Sequence, residues 1–457
     1  MLLGPHHDEA LAQFIVSGFQ RPDESLFPTA WRHILDTWAV AIAGSATPVL
    51  KRFRTTLPMM ADGSRAFGSG AGYAPKDAAT INAMAGHVHD YDDDDPNLCV
   101  GHASITVVAA LSAAAEHMGV NARDFLAAYL VGVETTMHVG RMVNPSHYNR
   151  GWHCTSTLGV IGAAAAVGVL RRSTMQEMVA GLRLAATMSL GLKANFGTDA
   201  KPLQVGLAAG NGIWAADLAS AGMSVGEHSL FGRKGMVELN SDGNADTSAW
   251  DRFGDPWGIA HPGMNIKLYP CCSSTHTAVD GIRAAMKDGA LAAAQVERID
   301  VWIGEDVPGI LIHDIPANGM QAKFSMRYCA AAAAVHGALT LAHFTDEAVR
   351  QDGVIAMMKR THIHVDPSLP REETGVTHQS RVAITGINGI RVEKEVAQPY
   401  GSASQPISHA DLQSKFMSCV HPVMGEARAV ALWAELASVS FDGPMDAVFD
   451  ALYGAHP

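Results

Sequence analysis

The spacing of apolar residues along this chain changes character once. Over the first 260 residues the repeat is helical: "DFLAAYLVGVETTMHVGRMV" places Leu126, Leu130, Val133 and Met137 on a single stripe. "SITVVAALSAAAEHMG" and "TMQEMVAGLRLAATMSL" read the same way, each running into a glycine, a usual stop. "CTSTLGVIGAAAAVGVL" (154–170) carries no charge and shows no stripe. It falls short of the ~20 residues a membrane span needs and is rich in Ala and Gly, so it predicts a core helix.

Near residue 262 the period shortens to two. "VERIDVWIG" (296–304) and "THIHVDP" (361–367) alternate like half-buried strands. "RVAITGINGIRVEKEV" (381–396) sets Asn388-Gly389 between two alternating runs, which predicts a hairpin with a type I′ turn. Helical patterns lie between them: "THTAVDGIRAAMKDG", "FSMRYCAAAAAVHGAL" and "DEAVRQDGVIAMMKR". After "PYGSASQPIS" the pattern turns helical again in "HADLQSKFMSCV" and "GEARAVALWAELASV", long enough to fold back. The expected fold is mainly α. A large all-helical domain, split in sequence (1–265 plus 401–457), carries an inserted smaller α+β lid domain (266–400). A cleft between two such domains is a favoured place for a small-molecule site.

Composition narrows the partners. With 457 residues, 48% of them hydrophobic, the chain can bury a large core. A formal net charge of −12 disfavours nucleic acid and anionic membrane surfaces. It leaves an anionic substrate open, because a few Lys and His in a cleft reverse the local field. The six cysteines are scattered without a CxxC, which argues against a disulfide framework, a zinc site or an iron–sulfur cluster. Reduced thiols in a cytoplasmic protein are expected, and the N-terminus has no secretory pattern.

The densest candidate chemistry is "HDYDDDDPNLCVGH" (89–102), with five aspartates (Asp90 and Asp92 to Asp95) between His89 and His102. Three readings compete: a metal loop, a solvated acidic turn, and a carboxylate that tunes a catalytic histidine. An EF-hand needs glycine at loop position six and glutamate at twelve; here Asp95 and Gly101 stand there. The spacing of His89 and His102 fits no common zinc signature. Elsewhere, His153 in "NRGWHCTSTLG" precedes a helix start, with Thr155 or Ser156 as candidate caps. Lys201 in "NFGTDAKPLQVG" and Lys267 in "GMNIKLYPCCSSTH" fall at a loop and at the domain junction, and Tyr328 in "KFSMRYCAA" opens an apolar helix. Taken singly, each of these also has a purely structural reading.

Taken together, they resemble the MmgE/PrpD family over nearly the whole chain. The resemblance is carried by "HVHDYDDD", "GHAS", "GWHCTSTLG", "NFGTDAKPLQVGLAAGNG", "NIKLYPCCSSTH", "AKFSMRYCAA" and "GSASQP". It implies a helical body with an inserted α+β domain, a homodimer, no metal or organic cofactor, and a small di- or tricarboxylate as substrate. It also implies a lyase or isomerase reaction through a carbanion or enediolate beside a carboxylate. The family's site falls on Asp92, His102, His153, Lys201, Lys267 and Tyr328. Histidine supplies a base near neutrality, Lys201 and Lys267 stabilise developing charge, Asp92 bonds one imidazole and raises its pKa, and Tyr328 donates a proton or binds a substrate oxygen. The remaining aspartates are expected to hold the loop or to face water. Dehydration, decarboxylation and epimerisation share this machinery, the last suited by two histidines on opposite sides of an amino- or iminodicarboxylate. Pro96, Gln204 and Arg327 depart from the family pattern, and a non-catalytic carboxylate-binding protein on the same fold is the alternative they would favour.

Overall fold

Small side chains decide how closely the helices approach. The computed structural model, which describes residues 3–453, shows them crossing at glycines. The helical part comprises α1 (Pro5–Gln20), α2 (Phe27–Ser45), α3 (Pro75–His87), α4 (Ala103–Ala115), α5 (Ala122–Val143), α6 (Cys154–Leu170), α7 (Met175–Thr187) and α8 (Ala200–Ser220). Every residue of α6 is buried, because α4, α5, α7 and α8 all pack on it. That explains its missing stripe: a helix apolar all round belongs in a core. A methyl group added at Gly162 would sit 1.9 Å from Thr136 Oγ1, so α5 and α6 touch only because that position is bare. The stripe residues Leu126, Leu130, Val133 and Met137 are all buried. Among the described residues no helix is long and apolar enough to cross a membrane. One small ladder, β1 (Ser64–Arg65) with β2 (Gly72–Tyr73), interrupts the helical run; two residues per strand are too few to show alternation.

The α+β part is built on β3 (Val296–Ile303), β4 (Thr361–Val365), β5 (Ser380–Gly386) and β6 (Arg391–Val396), in spatial order β4-β3-β5-β6. The β3–β4 pair is parallel and the other two are antiparallel. Helices α9 (His276–Asp288) and α10 (Met326–His336) pack against this sheet and each other. The hairpin forms where expected, with a different turn. Asn388 is not left-handed, Gly389 is (φ 78°), and Gly386 N–H donates to the Ile390 carbonyl. This is a three-residue loop with glycine at its αL position, not a two-residue I′ turn. "DEAVRQDGVIAMMKR" makes two short helices, Asp346–Val349 and Asp352–Met358, because Gln351 adopts an extended conformation between them. The chain then returns in α11 (His409–Met424), which packs on α2, and α12 (Glu426–Ala437). One hydrophobic core runs through the helical part to Ile266 and resumes at Ile407. A second core spans Tyr269 to Ile384 and takes in Phe196. The fold is mainly α with a smaller α+β part, and the acidic loop lies where the two cores meet.

Candidate active site

The loop between α3 and α4 explains its own charge. All five aspartates are at most 5% exposed, so the solvated-turn reading fails. Each carboxylate has separate work. Asp95 accepts the backbone N–H groups of Asn97, Leu98 and Cys99, shaping the loop, and burial pushes its pKa up to about 6 despite them. Asp93 accepts from His33 of α2 (2.7 Å) and from Ser104. Asp94 is tied through its backbone to Asn265, while its Oδ1 has no hydrogen-bond partner. Asp92 and Asp90 face the chemistry.

Asp90 bridges two ammonium groups, with Oδ1 2.5 Å from Lys201 Nζ and Oδ2 3.1 Å from Lys267 Nζ. Burial opposes its charge, but Lys201 and Lys267 outweigh burial and hold the carboxyl well below its usual range. Burial likewise opposes the Lys267 charge; Asp90 and then Asp94 outweigh it and raise that pKa. Asp90 sits at φ +52°, an uncommon conformation for a non-glycine residue and of the kind that clusters at functional sites.

Asp92 carries two imidazoles, with Nδ1 of His87 at 2.9 Å and Nδ1 of His102 at 3.1 Å. Burial works against its charge, and His102 and His87 together more than compensate. The tautomers follow from the partners. Lysine only donates, so the 2.7 Å contact from Lys201 Nζ makes His87 Nε2 an acceptor and puts the proton on Nδ1, toward Asp92. Burial, assisted by Lys201, brings His87 down to about 4 against the pull of Asp92. His102 Nδ1 meets only acceptors, the Asp92 carboxylate and carbonyl. That leaves Nε2 as the ring nitrogen turned away from Asp92, 3.7 Å from Asp90 Oδ1. His102 and His153 occupy the N-cap positions of α4 and α6. Thr155 and Ser156 do not cap α6: Thr155 Oγ1 accepts from the His102 backbone, and Ser156 Oγ reaches the carbonyls of Leu190 and Gln204.

His102, His153, Lys201, Lys267 and Asp90 line one pocket of about 570 Å³, open solvent at its mouth included. The α+β part closes it with Cys272, Ser273, Phe324, Val376 and His378. Asp92 stands behind His102. Tyr328 is not brought in: it is fully buried in the second core, its hydroxyl donates to the His343 carbonyl, and it does not line the pocket. Of the three departures, Pro96 lines the pocket and Gln204 bonds His153, while Arg327 pairs with Asp314 at 2.7 Å, away from it. His87, Asp90 and His102 bring potential ligand atoms within 4.8 Å of one another. Both Asp90 oxygens and His87 Nε2 already face ammonium groups, however, so this donor set suits lysines and not a divalent cation.

Sequence reasoning missed three groups. Asp90 is the first aspartate of the D-Y-D-D motif, but nothing in the motif says which of its aspartates meets the lysines. His87 lies five residues before Asp92, at the end of α3. Lys323 crosses from the α+β part to the Val88 carbonyl (3.3 Å), and burial lowers its pKa to about 7; no local pattern marks it.

A mainly α fold, with a smaller α+β part closing over a buried pocket of paired lysines, aspartates and histidines, defines an acid–base site for a small molecule. The chain belongs to the MmgE/PrpD family: the MmgE/PrpD N-terminal domain matches residues 9–248 and the MmgE/PrpD C-terminal domain residues 269–437. Among curated relatives, cis-aconitate decarboxylase of Mus musculus is 26% identical over 406 residues, 84% of this chain and 80% of that protein. Cis-aconitate decarboxylase of Aspergillus terreus is 26% identical over 429 residues, covering 86% and 85% of the two chains. The Homo sapiens protein of the same name is 25% identical over 363 residues, 75% of this chain and 72% of its own.

Proposed function

We propose that this chain is a lyase that acts, without a metal or organic cofactor, on a small tricarboxylate, and that it is a decarboxylase of the cis-aconitate kind. The observation that carries the reading is the Lys201–Asp90–Lys267 bridge beside His102 and His153 in one buried pocket. Lys201 spends two of its three N–H groups on Asp90 and His87, and Lys267 spends one on Asp90. The remaining donors are free to hold substrate carboxylates. In a desolvated pocket such fixed cations act far more strongly than in water.

The chemistry then runs as follows. When a carboxylate leaves as carbon dioxide, the C–C bond pair stays on the organic fragment as a carbanion delocalised into a neighbouring carboxylate, whose added charge Lys201 and Lys267 offset. A His102 imidazolium, held between Asp92 and Asp90, gives its Nε2 proton to the carbanion and is reprotonated from water. Dehydration uses the same atoms in a different order: neutral His102 removes the proton, the C–O bond breaks, and the imidazolium returns the proton to the β-hydroxyl, which leaves as water.

We take the two hydrophobic cores as the two domains of the sequence reading, 1–265 with 401–457 and 266–400, and the second as the lid. We also propose a homodimer in the cytoplasm. Leu207 and Trp214 leave an apolar stripe on α8 at 37% and 43% exposure, which suits a second copy, and all six cysteines are free and buried, as in a reducing compartment.

The test is proton NMR of the enzyme with cis-aconitate, citrate, 2-methylcitrate and amino- or iminodicarboxylates in D₂O. Carbon dioxide release with a new vinyl signal is expected from cis-aconitate. A vinyl signal without carbon dioxide makes the enzyme a dehydratase, and deuterium wash-in with inversion makes it an epimerase. No change with any of these substrates sinks the lyase reading.

A further inference from the structure

Gln204 lies on α8 beside His153, and its side-chain amide is oriented without ambiguity. The Leu192 backbone N–H, which can only donate, meets Oε1 at 2.7 Å, and Asn195 Nδ2 meets the same oxygen at 3.0 Å. The NH₂ end must therefore point the other way. There it lies 3.1 Å from His153 Nδ1 and 3.3 Å from the Leu192 carbonyl. An amide NH₂ has no lone pair to offer, so His153 Nδ1 must accept and the neutral ring must carry its proton on Nε2. That Nε2 has no partner among the described residues, although His153 lines the pocket beside Lys201.

We propose that Gln204 is a positioning residue that locks His153 as a neutral Nε2–H donor, aimed at the oxyanion that develops on the substrate, and that His153 neither removes nor delivers a proton. Protonating Nδ1 would set N–H against N–H. It would also add charge at the N-terminus of α6, whose dipole opposes a cation there. Burial, followed by Lys201 and His87, pushes the His153 pKa well down, in the same direction. His102 has the opposite wiring, with Nδ1–H held by Asp92 and Nε2 able to cycle a proton. The pocket thus contains one acid–base imidazole and one fixed electrophile. That pairing suits decarboxylation or dehydration; inversion by two opposed bases would need His153 to cycle a proton as well. The inference rests on the proposed reading of the site, but its first test does not.

Histidine-¹⁵N labelling with long-range ¹H–¹⁵N correlation, with His153 assigned by comparison with His153→Gln, reads the tautomer directly. The expected spectrum has an unprotonated Nδ1 and a protonated Nε2 that do not titrate between pH 5.5 and 8.5. A protonated Nδ1, or titration within that range, overturns the proposal whether or not any substrate is turned over. If cis-aconitate is not a substrate but the tautomer is as stated, the functional reading fails and this one stands. For turnover, Gln204→Glu is nearly isosteric but presents an acceptor, so His153 Nδ1 should gain a proton. Then kcat should fall at least ~10²-fold, the scale for losing one oxyanion donor, and a new ionisation should enter the pH profile. Gln204→His can still donate to Nδ1 and accept from Leu192, and it should retain most of the turnover. Equal kcat in the wild type and a folded Gln204→Glu overturns the assignment.

Discussion

Asp90→Asn tests whether the two lysines depend on one carboxylate. The substitution keeps size, removes the charge that bridges Lys201 at 2.5 Å and Lys267 at 3.1 Å, and sets an amide NH₂ against one of the two ammonium groups. Both lysines are at most 3% exposed, so water cannot take over. Removing one partner of a buried ion pair costs about 3–5 kcal/mol. At about 2.1 cal/mol/K per residue, the unfolding entropy of a 457-residue chain is about 1 kcal/mol/K. The apparent Tm at pH 7 should therefore fall by about 3–5 °C. The pH dependence follows from the directions of the shifts. Asp90 is depressed below its ordinary value of 3.8, so its contribution is present above that pH and lost as pH falls through the lower folded value. Lys267 is raised above 10.5, so its contribution is present below 10.5 and lost only beyond. In the variant Lys267 loses Asp90, the largest of the charges that oppose its burial, and keeps Asp94 and Asp92, so its pKa falls from its raised value. The folded variant then sheds the Lys267 proton at a lower pH than folded wild type does, so the stability gap to wild type should narrow as pH rises. Millimolar tricarboxylate should recover more of the loss in the variant than it adds to wild type, since it returns the missing anion. Scanning calorimetry at pH 6, 8 and 9.5, with and without citrate, measures all three. A Tm loss below about 1 °C, or a gap that widens with pH, would refute the reasoning.

Four further outcomes are expected. Lys267→Ala and His102→Ala should each lower kcat/KM at least ~10²-fold, and full activity in both would remove the site. His87 is displaced from 6.5 to about 4, so the unfolded chain binds its proton first; stability should decline as pH drops from 6.5 toward 4, by about 3 kcal/mol. His87→Gln, which still accepts from Lys201 and donates to Asp92, should flatten that part of a urea-unfolding series, and an unchanged slope would exclude His87 as its source. Tyr328→Phe should leave kcat/KM nearly unchanged and cost about 1 kcal/mol, because its hydroxyl serves the His343 carbonyl; a large kinetic loss would return it to the site. Turnover should persist after exhaustive treatment with EDTA, and loss reversed by a divalent ion would make His87, Asp90 and His102 ligands.

What could be read from the chain followed from how local each signal is. The α5 stripe and the strands β3 to β6 are periodic over many residues, and periodicity reports a buried face directly. The absence of a stripe in α6 was equally informative once length excluded a membrane span. Caps and turns were less legible, because a hydroxyl near a helix start has several competing partners: Thr155 is drawn to the His102 backbone and Ser156 to carbonyls. Asp92, read from the sequence as holding one imidazole and raising its pKa, bonds two, and burial takes one of them, His87, down to about 4 in spite of it. Residue type alone could not reveal that Asp90, two positions earlier, faces the lysines. That depends on a left-handed backbone at Asp90, on which pattern is silent. Tyr328 shows the converse, a polar group in a motif whose hydrogen bond is satisfied inside the second core.

The acidic loop also ties catalysis to folding. Five buried carboxylates so close together would not stay ionised or ordered unaided. Their partners arrive from elements far apart in sequence: His33 from α2, His87 from α3, Lys201 from α8 and Lys267 from the segment joining the two cores. Lys323 reaches the same region from the α+β part. The network that prepares the pocket is therefore the one that fixes the α3–α4 loop against both parts of the molecule. A variant that deletes one charge leaves its partner buried and uncompensated, so lost turnover and lost stability arrive together. Substitutions that keep the charge but move it, such as Asp90→Glu or Lys267→Arg, separate the two. They preserve the neutralisation that folding requires and displace the charged groups by about one bond length, a misplacement to which catalysis is far more sensitive than packing. Such variants should melt near wild type yet turn over poorly. A parallel loss in both measures would mean that the cluster is a structural clamp whose lysines never meet the substrate.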